Sequence, residues 1–301
     1  MANIIGIDIG GTNFRIGYVD HDNELHHFEH KSITFITNGD VVANLAKAIQ
    51  DYIQRYDLTN RVDHITVGLP SIVSKDKSYV YSTPNLPSLN ELDLGNLLRD
   101  AVGIPVYIDR DVNFLLYNDI HRLKADPNRD QTILGFYYGT GLGNAVYIQG
   151  RSYQGSNGAA GELGHIPFPG VEGLCGCGNY GCAELLCSGK RLQELANLIP
   201  GAAIGTIFEE HREHPLLLEY IRNLAMPIAT EANILDPDTI ILGGGVLFMK
   251  DFPKEELVAE IKKHLRKPFP YGTVKFVYAE HTQQSGVLGG AYLIKQRLET
   301  K

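Results

Sequence analysis

Between Gly161 and Glu184 the chain reads GELGHIPFPGVEGLCGCGNYGCAE, and this stretch holds three of the four cysteines. Their spacing with the histidine is His165-x9-Cys175-x-Cys177-x4-Cys182, which supplies one imidazole and three thiolates. That donor set suits tetrahedral zinc with every position filled by protein and none left for a reactive water. The expectation is a structural metal site, because cysteines gathered in a reducing compartment serve metal or redox chemistry more often than disulfides. Free thiols in a glycine-rich loop, or a disulfide, are the ordinary alternatives. Cys187 stands outside the spacing and is expected to be a small buried apolar residue. Glu162 and Glu184 bracket the cluster. A lone glutamate is ordinarily a solvated surface charge, but two beside a metal loop point to a ligand, since carboxylates accept hydrogen bonds from hydroxyl donors.

Three glycine turns follow apolar runs: Asp8-Ile9-Gly10-Gly11-Thr12, Gly139-Thr140-Gly141-Leu142-Gly143 and Gly243-Gly244-Gly245. Glycine lets backbone amides approach an anion without side-chain interference, and it adopts the positive φ angles that turn successive amides inward. Taken singly, each is an ordinary hairpin turn or helix start. Neither the dinucleotide fingerprint nor the Walker pattern is present. Three such turns, two of them in similar hairpins of the two halves, fit a nucleotide held by anion cradles from both. A base is sought in VYIDRDVNFLLYNDI, where a strand ends at Asp109 or Arg110 and an amphipathic helix follows. Asp111 then falls at the helix N-terminus. Aspartate there is commonly an N-cap, while the lip of a strand-to-helix crevice is also where a base for a hydroxyl nucleophile would sit. The residues alone leave both readings open.

The elements that must position these groups follow from periodicity. From Asn3 to Lys31 three short runs, NIIGID, FRIGYV and LHHFEHK, alternate with turns and predict an antiparallel meander. Val41, Leu45, Ala48, Ile49 and Ile53 recur at helical spacing. There follow the strand HITVGLP, a hairpin around Lys75-Asp76-Lys77, a helix from about Glu91 to Val102, and the strand IPVYIDR. TILGFYYGTGLGNAVYI then repeats the theme of IIGIDIGGTNFRIGYV, which predicts two lobes of related topology. Ser188 is the expected N-cap of GKRLQELANLI, a long helix is expected from Pro215 to Leu235, and DTIILGGGV reads as a strand. A last helix, Ser285 to Leu298, is expected to pack back on the first lobe. A chain of 301 residues exceeds what one core usually holds. The expected division is 1–115 with 287–301 as the N-terminal lobe and 116–286 as the C-terminal lobe.

These motifs carry a resemblance that covers nearly the whole chain. DIGGT resembles the first phosphate motif of the actin- and hexokinase-type sugar kinases, GTGLG the second, and GGG the adenosine-side turn. Within that group, GELGH and CGCGNYGCAE are similar to the GExGH and CxCGxxGCxE motifs of the ROK family (repressors, open reading frames, kinases). Asp111 and Asn113 match its E-N-D-x-N motif. The resemblance implies an α/β, two-lobed, actin-like and hexokinase-like (ribonuclease H-like) ATPase fold with a zinc-binding loop. It implies ATP-dependent phosphorylation of a hexose at its 6-hydroxyl, with Asp111 as the base. Asp8, Gly10, Gly11, Thr12, Gly139, Thr140, Gly141, Gly143, Gly243, Gly244 and Gly245 would bind ATP, and Asp8 would reach Mg2+ directly or through water. Asn85, Arg110, Asp111, Glu162, His165 and Glu184 would bind the sugar, with His165 turning its other nitrogen to structural Zn2+ beside Cys175, Cys177 and Cys182. Lobe closure would exclude water. Two positions depart from the family. Asn13 stands where a Lys commonly follows the Thr, and Arg110 stands where the family usually has an Asn contacting the distal side of the sugar. The segments VSKDKSYVYSTPNLP, RDVN and GELGHIP resemble most the branch acting on D-allose, while glucose, fructose and N-acetylmannosamine are the competing substrates.

Composition limits the alternatives. Lys plus Arg number 27 against Asp plus Glu 35, a formal charge of −8, and no basic run is present that would neutralise a nucleic-acid backbone. MANIIGIDIG has neither a basic leader nor a long apolar segment, so a cytoplasmic chain with no membrane partner is expected. The family also contains sugar-responsive transcription regulators, which usually carry a DNA-binding helix-turn-helix ahead of the kinase-like region. Only Met1 and Ala2 precede the first strand here. The resemblance further implies a homodimer.

Overall fold

The predicted meander forms as three hydrogen-bonded strands, β1 (Ile4–Ile9), β2 (Asn13–Val19) and β3 (Leu25–Ser32), in a computed structural model that describes residues 2–83, 86–125 and 130–299. In chain order there follow α1 (Thr34–Thr37), α2 (Val41–Arg55), β4 (His64–Leu69), β5 (Ile72–Val73), β6 (Val80–Ser82), α3 (Leu94–Val102), β7 (Val106–Arg110) and α4 (Asp111–Arg122). The later part holds β8 (Thr132–Tyr138), β9 (Leu142–Ile148), β10 (Arg151–Ser152), α5 (Gly189–Leu198), α6 (Ile207–Glu210), α7 (Pro215–Leu235), β11 (Thr239–Gly243), α8 (Lys254–His264), β12 (Lys275–Tyr278) and α9 (Ser285–Glu299). No helix among the described residues is long and apolar enough to cross a membrane.

The chain divides into two compact units, Met1–Ala125 with Gln154–Ala160 and His281–Lys301, and Asp126–Tyr153 with Gly161–Glu280. The sheet of the first is ordered β3-β2-β1-β4-β7 and that of the second β10-β9-β8-β11-β12. In each, the first two pairings are antiparallel and the last two parallel. The two halves therefore share one topology. Each unit has its own apolar cluster: Ile5, Ile7, Val67 and Ile108 with Leu45 and Ile49 of α2 in the first, and Leu134, Phe136, Ile240 and Leu242 with Leu224 and Ile228 of α7 in the second.

Three expected boundaries move. The helix expected from Glu91 starts at Leu94, because Glu91 has φ +52 and Leu92 exchanges backbone bonds with Val80; a left-handed residue cannot belong to the helix. The lobe boundary expected at 115 falls instead after Ala125. α4 runs unbroken to Arg122 and packs on α9, with His121 stacked on Tyr292 at 3.8 Å and the His281 ring bonded to Asp119 at 2.9 Å. The expected boundary at 286/287 lies at 280/281 for the same reason. Gly286 and Gly289 allow that helix to lie close: an added Cβ would sit 2.6 Å from the Asp8 carboxyl carbon at one and run into the Phe114 carbonyl at the other. Caps are where local chemistry placed them. Asp40 accepts from the amides of Val42 and Ala43, and Ser188 accepts from Arg191 at 3.2 Å.

One buried polar pair bears on the stability of the second unit. Glu231 of α7 accepts from Asn144 Nδ2 of β9 at 2.8 Å, and desolvation pushes its carboxyl up to about 7 against the one bond that lowers it. Between about pH 4.5 and 7 the folded state holds a proton that the unfolded chain releases, so stability falls as pH rises through that window and levels off above it. Glu231→Gln is expected to flatten this slope and to stabilise the protein at pH 8 by about 1–3 kcal/mol. Urea unfolding at pH 5 and pH 8 measures it, and equal slopes in the two proteins would refute the assignment.

Candidate active site

In the first unit the turn after β1 closes with the Gly10 amide donating to the Asn13 carbonyl at 2.8 Å. Neither Gly10 nor Gly11 takes a positive φ, so this cradle does not use the left-handed geometry expected of it. Asn13 donates to the Thr12 hydroxyl at 2.9 Å and its Oδ1 meets the His30 ring at 2.8 Å, which ties the residue into the β2–β3 pair. Asp8 lies opposite Arg15 across the β1–β2 ladder, and Arg15 Nη1 donates to Asp8 Oδ2 at 2.9 Å while its Nε donates to Gln283 at 2.8 Å. Burial raises the Asp8 carboxyl and Arg15 opposes the shift. Sequence reasoning missed Arg15. Counting across the GGT turn, which pairs position 8 with 15, would have found it. Magnesium is commonly held by one or two carboxylates together with substrate phosphates and waters. Asp8 beside an amide turn fits that pattern, with Arg15 leaving one carboxylate oxygen to a cation.

The Asp109 to Asn113 segment bridges β7 and α4. Arg110 is the N-cap position and its side chain makes no capping bond, while Asp111 is the first helical residue, with Oδ1 accepting from the Val112 amide at 2.8 Å. Asp111 is thus not the N-cap. Arg110 is nearly buried and its Nη1 donates to the Ala160 carbonyl at 2.5 Å. Asp109 is fully buried and accepts from Lys77 Nζ, the Arg110 amide and Asn113 Nδ2, each at 2.8 Å. Asn85 lies outside the described residues.

In the second unit the glycine turn after β8 is bound to the start of α5. The Gly139 and Thr140 carbonyls accept from the amides of Gly189 and Lys190 at 2.8 and 3.2 Å. With Ser188 as cap, these bonds occupy donors that a helix start would otherwise leave unmet. The second glycine of the turn is required by space: a Cβ on Gly141 would collide with the Glu184 carboxylate, whose Oε2 accepts from the Leu142 amide at 2.9 Å. Glu184 therefore reaches the glycine turn from the far end of the cysteine loop. Gly244 has φ +93 and presses on the backbone of Tyr138, and a side chain there would have no room. Gly243 ends β11 and Gly245 faces open space.

His165, Cys175, Cys177 and Cys182 offer ligand atoms all within 4.8 Å of one another. Cys177 and Cys182 sulfurs are 3.7 Å apart, and Cys175 Sγ is 3.6 Å from His165 Nδ1. Tetrahedral zinc with ordinary bond lengths sets about 3.8 Å between two sulfurs and about 3.6 Å between sulfur and nitrogen, so these donors fit the ion. Burial, with neighbouring thiols, pushes Cys182 up to about 12, a penalty on the thiolate that a divalent cation would offset. Nδ1 faces the thiols, and Nε2 lies 3.7 Å from Glu162 Oε2. Cys187 is fully buried, with its thiol donating to the Ala183 carbonyl at 2.9 Å.

Comparison with known proteins adds to this geometry. The profile of the ROK family matches residues 4–297. A glucokinase of Thermotoga maritima is 25% identical over 318 residues, covering 98% of each chain. The solved ROK hexokinase from Thermus thermophilus aligns with a TM-score of 0.81 at 23% identity, over 99% of this chain and 100% of that one. A ROK family transcriptional regulator, homologous to the MLC protein of E. coli, aligns with a TM-score of 0.83 at 25% identity over 98% of this chain and 78% of its own. The fold is that of the α/β hexokinase-like proteins, with mixed sheets.

Proposed function

We propose that this chain, which belongs to the ROK family, is an ATP-dependent sugar kinase that phosphorylates the 6-hydroxyl of a hexose. The observation that carries the reading is Asp111, a carboxylate at the first residue of α4 that does not serve as the helix cap. Phosphoryl transfer to a hydroxyl needs a base at the nucleophile and a positioned, neutralised phosphate chain. Asp111 would accept the hydroxyl proton as the oxygen attacks. The amides of the turns at Gly10-Gly11-Thr12 and 139–143, other than those of Gly10, Gly139 and Leu142 that are bonded within the protein, would hold phosphates, and Gly243, Gly244 and Gly245 would border the nucleoside. Glu162 and Glu184 would accept from sugar hydroxyls, and His165, with Nδ1 turned to the metal, would donate its Nε2–H to one. Magnesium, when bound, would neutralise charge on the phosphates. Zinc in the His165–Cys182 loop would fix the tautomer of His165 and hold Glu184 against the glycine turn.

ADP release measured over a panel of hexoses tests this: release that depends on one or a few sugars is expected. Sugar binding with no ADP release would favour a regulator, a reading motivated by the likeness to the MLC homologue. The end-to-end match with a curated glucokinase supports the enzyme.

D-allose is the proposed acceptor, with glucose as its chief competitor. The support is Arg110, a buried guanidinium bonded to the Ala160 carbonyl where the family usually has Asn. Allose and glucose differ only in the orientation of the 3-hydroxyl, and a site that bonds a hydroxyl in one orientation penalises the other. Arg110→Asn is expected to shift the ratio of kcat/KM for allose over glucose about 10-fold toward glucose. An unchanged ratio would remove Arg110 from specificity and allose from the reading.

A further inference from the structure

We propose that Lys77 and Asp109 form a buried ion pair that positions Asp111 for proton transfer, a role that rests on the kinase reading above. Lys77 is 2% exposed and Asp109 fully buried, and Nζ donates to Oδ1 at 2.8 Å. Two charges taken out of water gain little stability over an apolar pair, so such a pair is better explained by register than by strength. Lys77 also sits at φ +66, in the left-handed region that favours glycine or asparagine. The chain places a lysine there nonetheless, and its side chain goes inward.

The geometry shows what the ammonium holds. Lys77 ends the β5–β6 turn, where its amide donates to the Ser74 carbonyl at 3.0 Å and the Ser74 hydroxyl accepts from the Tyr79 amide at 2.9 Å. Its carbonyl in turn accepts from the Ile108 amide of β7 at 3.3 Å. The hairpin tip is thereby docked on the strand that leads into the site. Asp109 Oδ1, bonded to Lys77, also accepts from the Arg110 amide and from Asn113 Nδ2. Those donors lie one residue before and two residues after Asp111. The carboxylate of Asp109 therefore clamps both flanks of Asp111, and Lys77 fixes the clamp. A base displaced by about 1 Å loses roughly 10²-fold in rate while its ligands still bind.

Lys77→Met keeps the length of the side chain and removes the ammonium. The expected result is a fall in kcat of roughly 10²-fold, with KM for sugar and for ATP changed less than about 3-fold. Asp109→Asn alone should also lower kcat, because it strands the ammonium. The double variant Lys77→Met/Asp109→Asn keeps an oxygen for the Arg110 amide and strands no charge, so it should recover part of the loss yet stay about 10-fold below wild type in kcat because the anchor is gone, and wild-type kcat in it overturns the proposal. Rates are normalised to folded protein by circular dichroism and thermal melting, and if the single variant does not fold the double variant is compared with wild type directly. Wild-type kcat in folded Lys77→Met overturns the proposal, as does a loss carried by KM or by the melting temperature alone. Wild type and Asp111→Asn are assayed alongside. An inactive wild type sinks the kinase reading and this role with it, whereas an active wild type, a dead Asp111→Asn and a normal Lys77→Met sink only the positioning role.

Discussion

Asp111→Asn is expected to lower kcat by about 10³-fold while the sugar still binds within a few-fold of wild type. The change is nearly isosteric. An asparagine oxygen can still accept from the Val112 amide, the bond Asp111 makes at 2.8 Å, so the start of α4 is retained. What is lost is the lone pair able to take a proton from the hydroxyl. General-base catalysis commonly contributes 10²–10⁴-fold, and the losses should fall in kcat, not KM, because the proton moves only in the transition state. Hexose-dependent ADP release gives the rate and calorimetry gives the sugar affinity. Undiminished turnover would strip Asp111 of the role.

The second large effect is expected at the cysteine loop. Cys182→Ser should reduce bound zinc from about one ion per chain to a small fraction, and raise KM for the sugar by about 10–100-fold. Cys182 contributes a sulfur to the donor cluster and immediately precedes the short turn that carries Glu184. The Ala183 amide beside it donates to the Ile166 carbonyl at 3.0 Å. The residue thus joins the His165 end of the loop to the Glu184 end. A serine hydroxyl is a poor zinc ligand, and once the ion leaves, the two groups proposed to bind the sugar, His165 and Glu184, would lose their fixed orientation. Elemental analysis reads the metal and steady-state kinetics the KM. Stoichiometric zinc in the variant, or loss of zinc with the sugar KM unchanged, would break the link.

Much of this was legible locally. The metal donors lie within one short loop, and the cap at Ser188, the helix Pro215–Leu235 and the opening meander follow from side chains a few residues apart. The shared sheet order of the two units was foreshadowed by one repeated turn, GGT against GTGLG. The helix start expected at Glu91 failed because the periodicity of the apolar residues ran on through a left-handed residue. The return of the last helix to the first lobe was expected, but the boundary at 115 failed because the spacing along the chain did not show that α4 runs on to Arg122 within that unit against α9.

The sequence by itself determined which chemical groups are available and the local frames that carry them, because hydrogen bonding and side-chain direction over one or two turns depend on near neighbours alone. Only the tertiary structure decided their distant partners: Lys77 on Asp109 over 32 positions, and Glu184 on the Leu142 amide over 42. Those pairings arise when sheets stack against helices and buried charges must find counter-charges or donors in whatever segment packing brings near. No periodicity along the chain encodes that requirement, since it exists only once water has been excluded.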